Sequence, residues 1–172
     1  RYNNDLFDDE QGKFKEFATA PKANWKAGAG KGKRALLWHH WLKIDPEKAL
    51  WGNQLTGDCV SWGERCKQEV RRCVEILAFG EREKYKSRQA TCLLYSGRGH
   101  TGAGASPTGI ANWATKCGIL LEEKFTDSSG KIWDFTEYPS YVKIGMSYGR
   151  SGMPQAVIDI TSKNRVLGQA RV

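Results

Sequence analysis

From Cys59 onward, apolar residues recur at spacings of three and four: Cys59, Trp62, Cys66, Val70, Cys73, Val74 and Leu77. That spacing predicts an amphipathic helix of about 20 residues with one side buried. Glu64, Arg65, Lys67, Gln68, Arg71 and Arg72 fall on its other face, and Gly80 is placed to stop it. Ser106-Pro107 opens a second stripe through Ile110, Trp113, Ala114 and Cys117, which Gly118 closes. Gly152-Met153-Pro154 starts a third helix, with Val157 and Ile160 inward. Asp45-Pro46 reads as a further helix start, with Asp as cap and Pro in the first turn. Residues 89–95 (QATCLLY) fit a helix or a strand, because the run is too short to choose. Residues 119–150 mix a Ser128-Ser129-Gly130 turn with Trp133, Phe135, Tyr138 and Tyr141, which predicts a long ordered connection with short strands at most.

Ahead of these elements the pattern changes. Residues 1–20 are polar with scattered Phe7, Phe14 and Phe17, and residues 21–34 are Gly, Ala and Lys. We therefore divide the chain into an extended basic and aromatic arm, 1–45, and a folded unit, 46–172. The chain has 172 residues, 40% apolar and 27% charged, which excludes collagen, a coiled coil and wholesale disorder. No apolar run approaches the roughly 18 residues of a membrane span. The first residues have no apolar core, so they do not read as a signal peptide. They also lack an initiating Met, and the C-terminus is as abrupt, so the chain is expected to be a fragment of a longer reading frame.

The formal charge is +8, which favours polyanionic partners. It is concentrated in residues 22–43, where Lys22, Lys26, Lys31, Lys33 and Arg34 alternate with Trp25, Trp38 and Trp41. Such a segment can track a nucleic-acid backbone while its rings stack on bases. It can equally be a solvated loop whose tryptophans anchor it to a core.

Several motifs carry less than they first suggest. Gly97-Arg98-Gly99-His100-Thr101-Gly102 matches GxGxxG, but Pro107 and the helix it begins come too late for a dinucleotide fingerprint. Gly32-Lys33 is followed by Arg34, so the hydroxyl of a phosphate loop is missing. His39-His40 are adjacent and diverge on a helix or a strand, and no paired CxxC or HExxH supports a metal. We expect no metal and no cofactor. Five cysteines, 59, 66, 73, 92 and 117, include no CxxC. On a helix, Cys59, Cys66 and Cys73 are about 10 Å apart, too far to bridge, so free thiols in a reducing compartment are expected.

The strongest motif is Gln54-Leu55-Thr56-Gly57-Asp58-Cys59-Val60-Ser61-Trp62-Gly63. It sets a Gln five residues ahead of a Cys that opens a helix. A thiolate is a nucleophile, and the positive end of a helix favours that form. A Gln side chain just upstream can donate to the oxyanion that develops when the thiolate attacks a carbonyl. The alternative is a buried cysteine at a helix start.

This segment resembles the Gln…Gly-Ser-Cys-Trp stretch of papain-like cysteine peptidases. Tyr95 to Leu120 (YSGRGHTGAGASPTGIANWATKCGIL) is similar to the next landmark of that family, a Gly-rich cleft loop leading into a helix. With Tyr148-Gly149-Arg150-Ser151-Gly152-Met153-Pro154 it resembles, more narrowly, the papain-like proteins encoded by bacteriophages, over about residues 50–166. The resemblance implies an α+β protein: the mainly helical left half of a papain-like domain, with the β half absent from this chain. It implies Cys59 as nucleophile, Gln54 as oxyanion donor, and Gly102, Gly104, Ala105 and Ser106 as the lining of the substrate cleft. It further implies a phage virion-associated protein, assembled in the host cytoplasm, with other virion subunits as partners and peptide or amide hydrolysis as its activity. The alternative is a catalytically inactive capsid or tail component using the fold and the arm for subunit or nucleic-acid contacts.

Departures from the family bear on that choice. The Gln-to-Cys spacing is one residue shorter, Val60 replaces an aromatic, and Asp58 precedes the nucleophile, where its charge opposes a thiolate unless it serves as the helix cap. The family's downstream His and Asn have no counterpart here. His39 and His40 precede the Cys, and His100, in the cleft loop, would be an improvised base. The 172-residue chain alone is therefore expected to lack peptidase turnover.

Overall fold

The computed structural model describes residues 36–46, 53–79 and 87–162. It contains helices α1 (Trp38–Ile44), α2 (Cys59–Phe79), α3 (Cys92–Ser96) and α4 (Pro107–Cys117). Strands β1 (Lys124–Thr126) and β2 (Ile132–Asp134) follow, and then helices α5 (Tyr138–Ser147) and α6 (Gln155–Thr161). The described part is thus a mixed, mainly helical structure with one small antiparallel sheet. No described helix is long and apolar enough to cross a membrane.

Helix α4 forms as the sequence predicts. Ser106 caps it by accepting from the Gly109 amide at 3.2 Å, and Pro107 sits in the first turn, where a missing N–H costs nothing. Gly118 ends it with φ at 83°, a conformation that favours glycine. Helix α6 starts after Pro154 and buries Val157; Thr161, rather than Ile160, is its second inward residue, and its hydroxyl donates to the Cys117 carbonyl at 2.6 Å. The undecided run 89–95 divides. Residues 88–90 lie antiparallel to 120–122, joined by Ala90 N–H to Leu120 O at 2.8 Å and Glu122 N–H to Arg88 O at 2.7 Å. The chain then turns into α3, every residue of which is buried.

Two expectations are corrected. Residues 119–150 contain more than short strands: besides the β1–β2 hairpin, which pairs Phe125 with Trp133, they form the ten-residue α5. Pro139 in the first turn of α5 is the local signal of that start. Asp45 closes α1, its amide donating to Trp41 O at 2.8 Å, and the residues that a helix started at Asp45-Pro46 would occupy, from 47 on, lie outside the described residues. And α2 is not buried on one side alone. Glu64, Arg65, Gln68 and Glu69 are buried along with Cys73, whereas Leu77 is 45% exposed.

That last reversal comes from what packs on the polar face. Arg65 lies 3.1 Å from Glu122, and Tyr141 donates its hydroxyl to the same carboxylate at 2.9 Å. Glu69 accepts the amide of Gln89. On the apolar face, Trp41 of α1 covers Cys73, Cys66 and Val70. The last part of the 1–45 segment is therefore helical and docked on α2; residues 1–35, with most of the basic 22–43 stretch, lie outside the described residues. Gly80, the expected stop of α2, lies outside them too.

The main core joins α3 to α5, α6 and the hairpin: Cys92, Leu93, Leu120, Phe135, Tyr141 and Val157 are among its buried members. Helix α5 crosses α3 so closely that a Cβ on Gly145 would stand 2.9 Å from the Cys92 backbone. A second cluster, Leu94, Ile110 and Ala114, packs on Val60 and Ala105, and so fixes the start of α2 against the Gly-rich loop.

Candidate active site

Cys59 is the first residue of the 21-residue α2, and it is exposed. The helix starts there because the Asp58 carbonyl accepts the first bond, from Trp62 N–H at 3.0 Å. A residue at that position stands at the positive end of the helix dipole. The other four cysteines are free and withdrawn: Cys66 is half-buried, and Cys73, Cys92 and Cys117 are buried. Burial pushes the Cys66 thiol up, the Cys73 thiol up to about 12, and the Cys92 thiol well above the ordinary range.

The Gly-rich loop docks directly on the turn that precedes Cys59. Gly104 donates its amide to the Gly57 carbonyl at 2.9 Å. A Cβ on Gly57 would stand 2.9 Å from the Ala103 Cβ and 3.1 Å from the Gly104 nitrogen, so only glycine allows this approach. Of the residues expected to line a cleft, Gly104 is thus brought to the turn before Cys59. Ala105 packs inward beside Val60. The Gly102 carbonyl is held by the Arg98 Nε–H at 2.9 Å. Ser106 directs its hydroxyl to the α4 cap. Gln54 is exposed on the turn before Cys59, as a donor to an incoming carbonyl must be.

Asp58 is buried completely, and its carboxylate does not cap α2. It turns inward to accept from the Tyr138 hydroxyl at 3.0 and 3.1 Å and from the Thr91 hydroxyl at 3.4 Å. Burial raises its pKa; the Tyr138 hydroxyl, the Asp58 amide, the Thr91 hydroxyl and the nearby Trp62 indole oppose that rise. Tyr138 in turn accepts the Leu55 amide at 3.1 Å. Neither Tyr138 nor Thr91 stood out in the sequence, since nothing local ties either to a cysteine far along the chain.

Arg98, within the GxGxxG match, is committed to main-chain carbonyls. Its guanidinium donates to the carbonyls of Tyr95, Gly102, Gly145 and Met146 and lies 4.0 Å over the Tyr95 ring. This places the loop by main-chain contacts, and Gly149 leaves the room that the guanidinium occupies. No helix starts within the match; α4 begins after it, at Pro107.

The three histidines divide. His39 and His40 sit on α1, which packs against the middle of α2, two turns and more from Cys59. His100 is exposed on the Gly-rich loop, its imidazole close over Gly102. Among the described residues no three His, Cys, Asp or Glu side chains gather as a metal site would need. No family model, curated protein or solved structure matches the chain.

Proposed function

We propose that the chain is the nucleophile-bearing helical half of a papain-like cysteine peptidase, of the type that bacteriophages encode and carry in the virion. The observation that carries this reading is the junction of Gly104 with Gly57, which sets a Gly-rich loop beside an exposed Cys59 at a helix start. In such a site the Cys59 thiolate attacks a carbonyl carbon while Gln54 and the Cys59 amide receive the developing oxyanion. Collapse of the adduct expels the leaving group and leaves an acyl thioester on Sγ. An amide leaving group needs a proton at that step, and no histidine is hydrogen-bonded to Cys59 among the described residues. The reading therefore takes its base from outside the described residues.

An activated ester separates nucleophile from base, because p-nitrophenolate leaves without a proton. We expect p-nitrophenyl acetate to acylate the folded chain once, at Cys59, with a burst of one equivalent that Cys59→Ser abolishes. Peptide amides should show no turnover. Acylation spread over several cysteines, or a burst that survives Cys59→Ser, would overturn the reading.

A second reading, a catalytically silent structural component of the particle, draws support from Leu36, Leu37 and Trp38. These are 38%, 51% and 50% exposed at the start of α1 and offer an apolar surface to a neighbouring subunit. Exposure alone lets Cys59 react first, so the deciding comparison is Gln54→Ala, which slows acylation of Cys59 in the enzyme reading and leaves it unchanged in a silent component.

A further inference from the structure

Helix α5 touches both flanks of the candidate cleft. At its N-terminal end, the Tyr138 hydroxyl accepts the Leu55 amide at 3.1 Å and donates to the buried Asp58 carboxylate at 3.0 Å. At its C-terminal end, the Gly145 and Met146 carbonyls accept from Arg98 at 2.9 and 3.0 Å, and Arg98 also holds the Gly102 carbonyl of the facing loop. The two flanks meet each other at Gly104 and Gly57. One helix, itself locked to α3 by the close approach of Gly145 to Cys92, thus supports both sides.

The N-terminal tie matters for chemistry because of what it joins. Leu55 follows Gln54, and Asp58 precedes Cys59, so one hydroxyl bonds to both neighbours of the two reacting groups. The Tyr138 ring is itself held edge-on by Trp62 at 5.2 Å and by Tyr141 at 5.5 Å, which leaves the hydroxyl little room to wander. We propose that Tyr138 is a positioning residue for acyl transfer at Cys59: its hydroxyl clamps the Leu55 amide to the Asp58 carboxylate and so fixes the Gln54 turn relative to the nucleophile. This rests on the reading of Cys59 as an acyl-accepting nucleophile, and it adds a residue that touches neither substrate nor Sγ. Displacing an oxyanion donor by about an ångström is enough to lose much of its effect.

Two reagents separate positioning from general structural damage. Iodoacetamide alkylates a thiolate by displacement at carbon, iodide leaves, and no oxyanion forms. p-Nitrophenyl acetate acylates the same thiolate through an oxyanion. The ratio of the two rate constants, mapped to the Cys59 peptide, reports the oxyanion turn alone. We expect Tyr138→Phe to lower the acylation-to-alkylation ratio by about tenfold to a hundredfold, as Gln54→Ala does, with no further loss in the double variant. Asp58→Asn, whose amide oxygen still accepts from Tyr138, should keep the ratio, and Asp58→Ala should lose it. The Asp58 pair tests the same tie should Tyr138→Phe not fold. A ratio unchanged in Tyr138→Phe, or lost equally in Asp58→Asn and Asp58→Ala, overturns the proposal. If Gln54→Ala leaves the ratio unchanged while Tyr138→Phe lowers it, the assignment of Gln54 fails and the clamp stands.

Discussion

Arg65 lies 3.1 Å from Glu122 in the interior, with only 3% of its side chain exposed, although it belongs to the charged face of the α2 pattern. The Tyr141 hydroxyl donates to the same carboxylate oxygen and receives a long 3.4 Å contact from Arg65. Burial and the adjoining Glu122 charge push the Tyr141 phenol far above its ordinary range, so it stays a donor.

Removing one member of this group leaves a buried charge uncompensated. Glu122→Ala should cost on the order of 3 kcal/mol in urea unfolding. Combining it with Arg65→Met should recover most of that loss, because the orphaned guanidinium goes as well. Equal destabilisation by the single and double changes would show that the pair does not act as described.

Gly57 tests the junction beside Cys59. Gly57→Ala puts a Cβ 2.9 Å from the Ala103 Cβ and 3.1 Å from the Gly104 nitrogen. We expect a loss of about 1–2 kcal/mol and faster hydrogen exchange at the Gly104 amide, with the α4 amides unchanged. Gly63→Ala, on the same helix with open space around its Cβ, is the control and should not destabilise.

The thiols should react in the order of their exposure. With a disulfide reagent at neutral pH, Cys59 is expected to react first and Cys66 more slowly, while Cys73, Cys92 and Cys117 wait for unfolding. Mass mapping at early times measures this, and equal labelling of Cys59 and Cys73 would refute it.

Alkaline pH follows from the same burial. The Cys73 thiol is raised from 9.0 to about 12 in the folded state. Between those values the unfolded chain releases its proton and the folded chain keeps it, so the unfolded state binds fewer protons and stability falls with rising pH. Denaturation midpoints should decline from about pH 9 upward, and Cys73→Ala should flatten the decline. An unchanged slope in that variant would remove Cys73 as its source.

Acid pH acts on the hairpin with the opposite sign. Asp127 is lowered to about 2 by hydrogen bonds from the Ser129 hydroxyl, the Trp133 indole, and the Ser129 and Lys131 amides. Its contribution is complete above the ordinary value of 3.8 and is lost as pH falls through about 2. The Trp133 indole N–H, which donates to Asp127 at 2.8 Å, should shift in NMR spectra with a midpoint near 2. A midpoint near 4 would show the turn to be open.

The folded unit was legible wherever a segment signals its own structure. The α2 period, the Ser106-Pro107 start, the Gly118 stop and the place of Cys59 at a helix start depend on neighbours a few residues apart, which is the range of capping and helical periodicity. The seven-residue spacing puts Cys59, Cys66 and Cys73 on one face, yet Cys59 is exposed, Cys66 half-buried and Cys73 buried, because cover along that face depends on where Trp41 of α1 packs. Helix α5 was missed because its aromatics, Tyr138 and Tyr141, serve both a core and a hydrogen-bond network, so they form no clear apolar stripe.

The sequence alone determined the local matters: where α2 and α4 begin, which cysteine opens a helix, and that a glycine-rich loop leads into the second helix. Tertiary structure alone decided which polar residues go inside. Arg65, Glu69 and Asp58 are charged or acidic, and a hydropathy pattern sends them to water. They are buried because partners distant in sequence, Glu122, the Gln89 amide and the Tyr138 hydroxyl, meet them in the fold. Burial of a polar group depends on whether a bond awaits it, and the chain's local pattern carries no record of a partner dozens of residues away.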